Sequence, residues 1–200
     1  MNGLARIMEN TYLYCLWQAP FAEKKFAPIL AHNDLRRVRR VLDVGCGPGT
    51  NTPHFAHTYY LGIDHNLHYL LHARRRHGRD FMAGDATRLA LAPAARFDFI
   101  FINSFLHHVD TPSARGLLAQ LSALLTEDGH IHILDLLLPT QPSVARFLAR
   151  HDRGEFPRPL EEWKRIFCET FEPEVFEPYP LTGLGATLWE MVYFKGRRRG

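Results

Sequence analysis

A glycine-rich turn near residue 45 constrains this chain more than any other feature. Residues 38–44 are predicted to form a buried parallel strand, and three glycines follow at alternate positions, Gly45, Gly47 and Gly49. Thr52-Pro53 predicts that a helix begins there, with threonine as N-cap and proline at the first helical position. Such a turn gathers backbone N–H groups at one point, because no Cβ atoms shield them. We therefore expect it to bind the polar end of a nucleotide-like ligand.

Predicted strands and helices alternate from Val38 onward, which indicates a parallel sheet with helices on both faces. The predicted strands cover residues 38–44, 59–64, 81–84, 97–103, 130–138, 173–179 and 187–195. The predicted helices cover residues 67–77, 112–125 and 143–151, and a further helix begins at residue 159. Residues 5–32 are predicted to form two helices that are broken at Pro20.

Acidic residues stand at the ends of the second and third predicted strands. Asp64 follows the glycine turn by about 20 residues, where a carboxylate suits the two hydroxyls of a ribose. Asp85 lies in Gly84-Asp85-Ala86 after the third strand. Each aspartate taken alone is also compatible with a helix or loop cap. Ligands of open α/β sheets bind at the carboxyl ends of the strands, so we expect both carboxylates in one pocket.

The pattern Asp43-x-Gly45-x-Gly47-x-Gly49, followed by Asp64 and Asp85, resembles the class I S-adenosylmethionine (SAM)-dependent methyltransferases. The resemblance covers residues 38–195. It implies an α/β fold, a three-layer Rossmann-like sandwich with a seven-stranded, mostly parallel sheet whose last strand is antiparallel. It also implies a single domain over residues 1–200, with an N-terminal helical cover (1–37) and a SAM-binding core (38–200). An insertion at 139–160 would lie over the substrate site.

The same resemblance implies how SAM is held. The glycine turn would contact its methionine part, Asp64 its ribose, and Asp85 the adenine amino group, while Asn103 would face the sulfonium. The cofactor-binding residues implied in this way are Asp43, Gly45, Cys46, Gly47, Gly49, Asp64, His65, Asp85, Ala86 and Asn103.

His107 and His108, directly after the fourth predicted strand, are the candidate catalytic residues. An oxygen acid or an activated carbon must lose a proton before or during methylation, and a histidine with a pKa near neutral suits that step. Neighbouring side chains on a helix point about 100° apart, so at most one of the two rings can face the substrate. Asp135, at the end of the fifth strand, is a further candidate. His151 and Asp152 could close over a substrate.

Several classes of partner are disfavoured by the sequence. The net charge of +3 is small, and the arginine clusters at 36–40, 74–76 and 197–199 lie at edges of predicted elements, which argues against nucleic acid. The Asn/Asp-Pro-Pro-Tyr/Phe turn of enzymes that methylate nucleobase amines or glutamine is missing after strand four. No carboxylate-rich magnesium cluster stands out, so we expect no metal. No apolar run approaches the ~20 residues of a membrane span, and we expect no membrane partner.

The three cysteines, Cys15, Cys46 and Cys168, lie far apart, and we find no secretion signal, so we expect a cytoplasmic protein without disulfides.

Taken together, these features predict a SAM-dependent methyltransferase for a small molecule with an O, N or C nucleophile, as a monomer or homodimer. The resemblance implies that one or two aromatic residues of the N-terminal segment line the substrate pocket, while most of them pack on the sheet: Tyr12, Tyr14, Trp17, Phe21 and Phe26. The alternatives are a nucleic-acid or protein methyltransferase and a non-catalytic SAM-binding partner subunit. A nicotinamide dehydrogenase is disfavoured because position 50 is threonine.

Overall fold

The computed structural model describes residues 11–199 except 93, 153 and 184, with side chains from residue 21 onward. Its strands are β1 (Arg40–Val44), β2 (Tyr59–Asp64), β3 (Asp80–Ala83), β4 (Phe97–Asn103), β5 (Leu125–Leu136), β6 (Phe171–Gly183) and β7 (Ala186–Arg198). The α-helices in this part of the chain are α1 (Thr11–His32), α2 (Leu67–His77), α3 (Thr111–Leu124), α4 (Val144–Arg150) and α5 (Leu160–Thr170). None of these helices is both long and apolar enough to cross a bilayer.

The strands form one seven-stranded sheet in the order β3-β2-β1-β4-β5-β7-β6. Strand β1 pairs in parallel with β2 on one side and with β4 on the other. Strand β7 is antiparallel to both of its neighbours, β5 and β6. The predicted fold class is therefore confirmed. The strand order reverses between β1 and β4, and the carboxyl ends of strands at such a point form the usual ligand crevice of an open α/β sheet.

Strand β4 shows why the sheet has helices on both faces. Ile100 and Ile102 point into one hydrophobic core together with α3 and α5, while Phe99 and Phe101 point into a second core on the opposite face. All four side chains are buried. Alternate residues of a strand face opposite sides of the sheet, so an almost wholly apolar strand requires a cover on each side.

The structure corrects three local predictions. Helix α1 continues through Pro20, which costs one backbone hydrogen bond without ending the helix. At Thr52–Phe55 a single 3-10 turn forms where a longer helix was predicted. Strand β5 begins at Leu125, directly after α3, so that Asp128-Gly129 lies inside the strand. Gly129 is needed there because a Cβ atom would lie 2.9 Å from the backbone oxygen of Phe97.

Candidate functional site

The glycine turn wraps around the end of β2. The backbone N–H groups of Gly45 and Cys46 both donate to the carbonyl of Ile63, at 2.8 and 3.0 Å. The N–H of Gly47 donates to Asp64 Oδ2 at 2.9 Å. All three glycines have positive φ, which side-chain-bearing residues rarely adopt. The N–H groups of Gly45, Cys46 and Gly47 therefore form hydrogen bonds that hold the turn against β2, and the glycines allow its backbone conformation.

Gly45 also leaves room for Phe105, and substitution there tests this packing. A Cβ atom at residue 45 would lie 2.7 Å from Phe105 Cδ2, and φ is +71°. We expect Gly45→Ala to lower the free energy of unfolding by about 2–4 kcal/mol in urea titrations, from backbone strain and overpacking together. At Gly47, where φ is +53°, a Cβ would meet nothing within 4 Å, so Gly47→Ala should show the backbone strain alone. Equal losses in the two variants would exclude the Phe105 contact as a cause.

Asp64 holds the turn and faces the ligand crevice. Asp64 is 9% exposed, its Oδ2 accepts from Gly47 N, and its Oδ1 accepts from Asn66 N at 2.8 Å. Asn66 in turn caps α2 by accepting from His68 N and Tyr69 N. The carboxylate is therefore fixed from two sides before any ligand arrives.

Asp64 and Asp85 line the same cavity, a space of about 330 Å³ at the carboxyl ends of β1 to β3. Asp85 is exposed, and its Oδ1 accepts from the backbone N–H and the hydroxyl of Thr87. These hydrogen bonds hold the pKa of Asp85 below its ordinary value, so that it is ionised at neutral pH. The cavity is lined by Gly45, Asp64, His65, Asp85, Ala86 and Phe105. Sequence reasoning missed Phe105, which supplies an apolar wall.

A smaller cavity of about 40 Å³ lies on the other side of Gly45 and contains a lysine that the sequence analysis did not single out. Lys25 Nζ donates to Ser104 Oγ at 3.2 Å. Burial lowers the pKa of Lys25 to about 8, although Asp152 and Asp135 work in the opposite direction. The lining comprises Ala22, Lys25, Gly45, Cys46, Gly47, Pro48, Thr50, Asn51, Asn103 and Ser104. Because Lys24-Lys25 stands in an N-terminal helix rich in aromatic residues, no local signal marks it as part of a site.

Asp43 lies behind the turn, outside the linings of both cavities. It is 1% exposed and accepts a hydrogen bond of 2.7 Å from the Tyr60 hydroxyl, which also accepts from Thr52 Oγ1. Burial raises the pKa of Asp43 to about 7. Asp43 therefore shapes the base of the turn, and Gly49, which is also outside the cavity linings, provides a positive φ. A direct contact between either residue and a cofactor stays a prediction.

His107 is held between two carboxylates. Nδ1 donates to Asp135 Oδ1 at 2.6 Å, and Nε2 donates to Asp152 Oδ2 at 3.1 Å. Burial works to lower the pKa of His107, but the charges and hydrogen bonds of Asp135 and Asp152 outweigh it and raise that pKa to about 9. The ring is thus protonated at neutral pH, in contrast to the near-neutral pKa that a general base requires.

His108 has different surroundings from those of His107. It is exposed, whereas His107 is 4% exposed, and the two ring centroids lie 4.2 Å apart. Neither ring lines the two cavities described above. The catalytic role of this pair stays a prediction.

Arg158 anchors the turn that carries the two histidines. It is 3% exposed and donates to the carbonyls of Leu106, Val109 and Phe156. The guanidinium also stacks over Trp163, 4.7 Å from the ring centroid. The segment before α5 is thereby tied to the end of β4. The contacts of Arg158 with Leu106 and Val109 join residues 52 and 49 positions apart, and no local pattern in the sequence predicts them.

The structure describes the side chains of only two of the five N-terminal aromatic residues that were predicted near the substrate pocket. Phe26 is fully buried, stacks on His54 at 3.9 Å and packs against Phe101, so it belongs to the core. Phe21 is half-buried and packs on a small cluster with Leu136 and Met191. The side chains of Tyr12, Tyr14 and Trp17 lie outside the described residues.

Comparisons with known proteins relate part of this chain to a known domain family. Residues 41–129 match the family model of the methyltransferase domain. A demethylmenaquinone methyltransferase from Renibacterium salmoninarum is 33% identical over 105 residues, which are 51% of this chain and 43% of that relative. The match therefore spans less than half of the curated relative's length.

Two solved structures share the fold over most of the chain. The N-methyltransferase NodS from Bradyrhizobium japonicum, in complex with S-adenosyl-L-homocysteine (SAH), superposes with a TM-score of 0.70 at 17% identity and covers 91% of this chain and 87% of its own. A SAM-dependent methyltransferase from Methanosarcina mazei superposes with a TM-score of 0.70 at 18% identity, and the match covers 86% of this chain and 98% of that protein. Residues 41–129 thus match a methyltransferase domain, and the described chain has the Rossmann-like fold of the solved SAM-dependent methyltransferases.

Proposed function

We propose that this chain transfers the methyl group of SAM to an oxygen, nitrogen or carbon nucleophile of a small molecule. One observation carries the proposal: the carboxylates of Asp64 and Asp85 line one cavity, and Gly45 joins that cavity to a second one that contains Lys25 and Asn103. The curated relative acts on demethylmenaquinone and NodS is an N-methyltransferase, which supports a small-molecule acceptor.

The residues present fit the chemical groups of SAM. Two carboxylate oxygens of Asp64 suit the two ribose hydroxyls, and the ionised Asp85 suits an exocyclic amino group. Phe105 offers an apolar surface to the adenosyl part. The ammonium of Lys25, beside the glycine turn, suits the carboxylate of the methionine part, since an ion pair in a partly buried site is strengthened by the low local dielectric.

Methyl transfer from SAM requires little covalent chemistry from the protein itself. SAM supplies a methyl group on a sulfonium, which is a good leaving group. The chain must hold the acceptor in line with that methyl group and exclude water, and positioning of this kind can supply most of the rate enhancement. Asn103 and Ser104 line the smaller cavity, and we expect them to border the transfer. Ser104, whose φ is 52°, accepts a hydrogen bond from Lys25 Nζ and donates one to Asn103 Oδ1.

The protonation state of His107 limits its part in this reaction. A ring that is already protonated cannot accept the acceptor's proton. We therefore assign His107 a positioning role in the free protein, through its bonds to Asp135 and Asp152. His108, which is exposed beside it, keeps the proposed role of base for acceptors that must lose a proton.

The test is transfer of label from methyl-labelled SAM in a cell extract that has been separated into small-molecule, protein and nucleic-acid fractions. We expect label in the small-molecule fraction, and none with Asp64→Ala. Label in protein or nucleic acid would contradict the proposed acceptor class. SAH binding without transfer in any fraction would contradict catalysis and favour a SAM-binding partner subunit.

Assembly and location follow as part of the same proposal. Cys46 and Cys168 are free thiols in the described part of the chain, in keeping with a cytoplasmic protein. The monomeric or homodimeric state, and the division into a cover (1–37), a core (38–200) and an insertion (139–160), stay predictions.

A further inference from the structure

We propose that His107, His108 and Asp152 form a binding site for a borderline divalent cation such as Zn²⁺, a site that the sequence did not predict. Each residue offers one ligand atom, and these three atoms lie within 4.8 Å of one another. Two imidazole nitrogens and one carboxylate oxygen are a ligand set that suits zinc and its neighbours in the first transition row. The inference does not depend on methyl transfer, and in the metal-bound protein His108 is a ligand and not the proposed base.

The strongest support is the orientation of His107. Its Nδ1 donates to the buried carboxylate of Asp135 at 2.6 Å, which turns Nε2 towards Asp152 at 3.1 Å. Asp135 is itself held by the N–H groups of Leu106 and Leu136, both at 2.7 Å. A carboxylate that fixes one nitrogen of a histidine while the other nitrogen binds the ion is the usual outer-shell arrangement of protein zinc sites.

The loop that carries Asp152 is built against His107. The N–H of Phe156 donates to the His107 carbonyl at 2.9 Å, and the N–H of Gly154 approaches Asp152 Oδ2 at 3.4 Å. Gly154 packs on the His107 backbone, where a Cβ atom would lie 2.7 Å from the carbonyl oxygen. The carboxylate is therefore brought to the histidine pair by fixed backbone contacts.

Only a small adjustment closes the site. The three ligand atoms lie within 4.8 Å of one another, whereas ligand atoms around one tetrahedral ion lie about 3.3 Å apart, so the longest separation must contract by up to about 1.5 Å. His108 is exposed and the Asp152 side chain is 29% exposed, so both can move while His107 stays in place. On binding, the ion replaces the hydrogen bond between His107 Nε2 and Asp152, and that ring proton passes to solvent.

The surrounding charges determine how strongly the site is expected to bind a divalent cation. Asp135 and Asp152 together carry the two negative charges that a divalent cation needs. The ammonium of Lys25 lies within electrostatic range of both carboxylates and works against binding. Three protein ligands leave one coordination position open to water or to an oxygen of a substrate, as in catalytic zinc sites.

The experiment is calorimetric titration of the intact, metal-free protein with ZnCl₂, together with the visible absorption spectrum of the Co²⁺-loaded protein. We expect one ion per chain, and affinity reduced at least about tenfold in both His108→Ala and Asp152→Asn. His151→Ala is the matched control and should bind normally, because the His151 ring is hydrogen-bonded back to the Phe147 carbonyl.

Circular dichroism of each variant shows that the fold is retained, and the Co²⁺ spectrum reports the ligands directly. Absence of binding, or equal binding by the wild type and by either of the two site variants, would overturn the proposal. A cobalt–thiolate charge-transfer band would place the ion on a cysteine and would also overturn it. Loss of binding in His151→Ala would do the same.

Discussion

Asp64→Ala is expected to weaken SAH binding by about 100-fold or more in isothermal titration, while the protein stays folded. Asp64 is 9% exposed and lines the larger cavity, where the proposed function has its carboxylate accept from two ribose hydroxyls. Hydrogen bonds to a charged group contribute about 1.5–3 kcal/mol each, and two of them account for a loss of this size. Transfer of label should fall in parallel.

The Asp64→Asn variant separates the contribution of the negative charge to SAH binding from that of the side chain's shape. The amide keeps one acceptor oxygen of similar size, so we expect a loss of about tenfold rather than 100-fold. Asp80→Ala removes an exposed carboxylate at the start of β3 and should leave binding unchanged. Because Asp64 also accepts from Gly47 and Asn66, urea unfolding of Asp64→Ala should show a loss of about 1–3 kcal/mol. Unchanged SAH affinity in Asp64→Ala would refute the proposed orientation of SAM.

Lys25→Met is expected to weaken SAH binding by about tenfold or more at neutral pH, because the ligand carboxylate loses its charged partner. The variant should fold normally, since burial already disfavours the charged form of Lys25 and methionine fills a similar volume. Lys25→Arg keeps the positive charge and should bind more tightly than Lys25→Met. Equal affinities of the wild type and Lys25→Met would remove Lys25 from the cofactor site.

The pH dependence gives a second measurement on the same residue. The pKa of Lys25 is lowered to about 8, so the ammonium is present below that pH and is lost as the pH rises through it. Affinity of the wild type for SAH should therefore fall between about pH 7 and pH 9, with a bound carboxylate shifting the midpoint upward. Arginine stays charged over this range, so Lys25→Arg should show a smaller fall. Parallel curves for the two proteins would contradict a charge-based role.

Local patterns predicted several elements to the residue. Strands β2 and β4 and helix α2 begin and end where the sequence places them. In α2 the reason is visible, because Asn66 caps the first turn with its side chain and Gly78, with φ of 59°, ends the helix. In β4 an uninterrupted apolar run can be satisfied only in the middle of a covered sheet.

The predictions that failed are those in which distant packing overrides a local signal. Pro20 disfavours a helix but does not end α1. Asp128-Gly129 has the composition of a helix stop, yet the sheet extends β5 through it, because Gly129 admits the close approach of the Phe97 backbone. A local preference of about 1–3 kcal/mol is small beside the hydrogen bonds and apolar burial that an added stretch of strand gains.

The sequence by itself determined the fold class and the order of the glycine turn, Asp64 and Asp85 along the crevice. These features depend on periodicity and on strand ends, which neighbouring residues specify. Only the tertiary structure decided that Lys25 reaches Ser104, that Asp43 lies behind the turn, and that Asp135 and Asp152 enclose His107. Those contacts join residues far apart in the chain, and burial and charge act through space rather than along the sequence, so no local pattern records them.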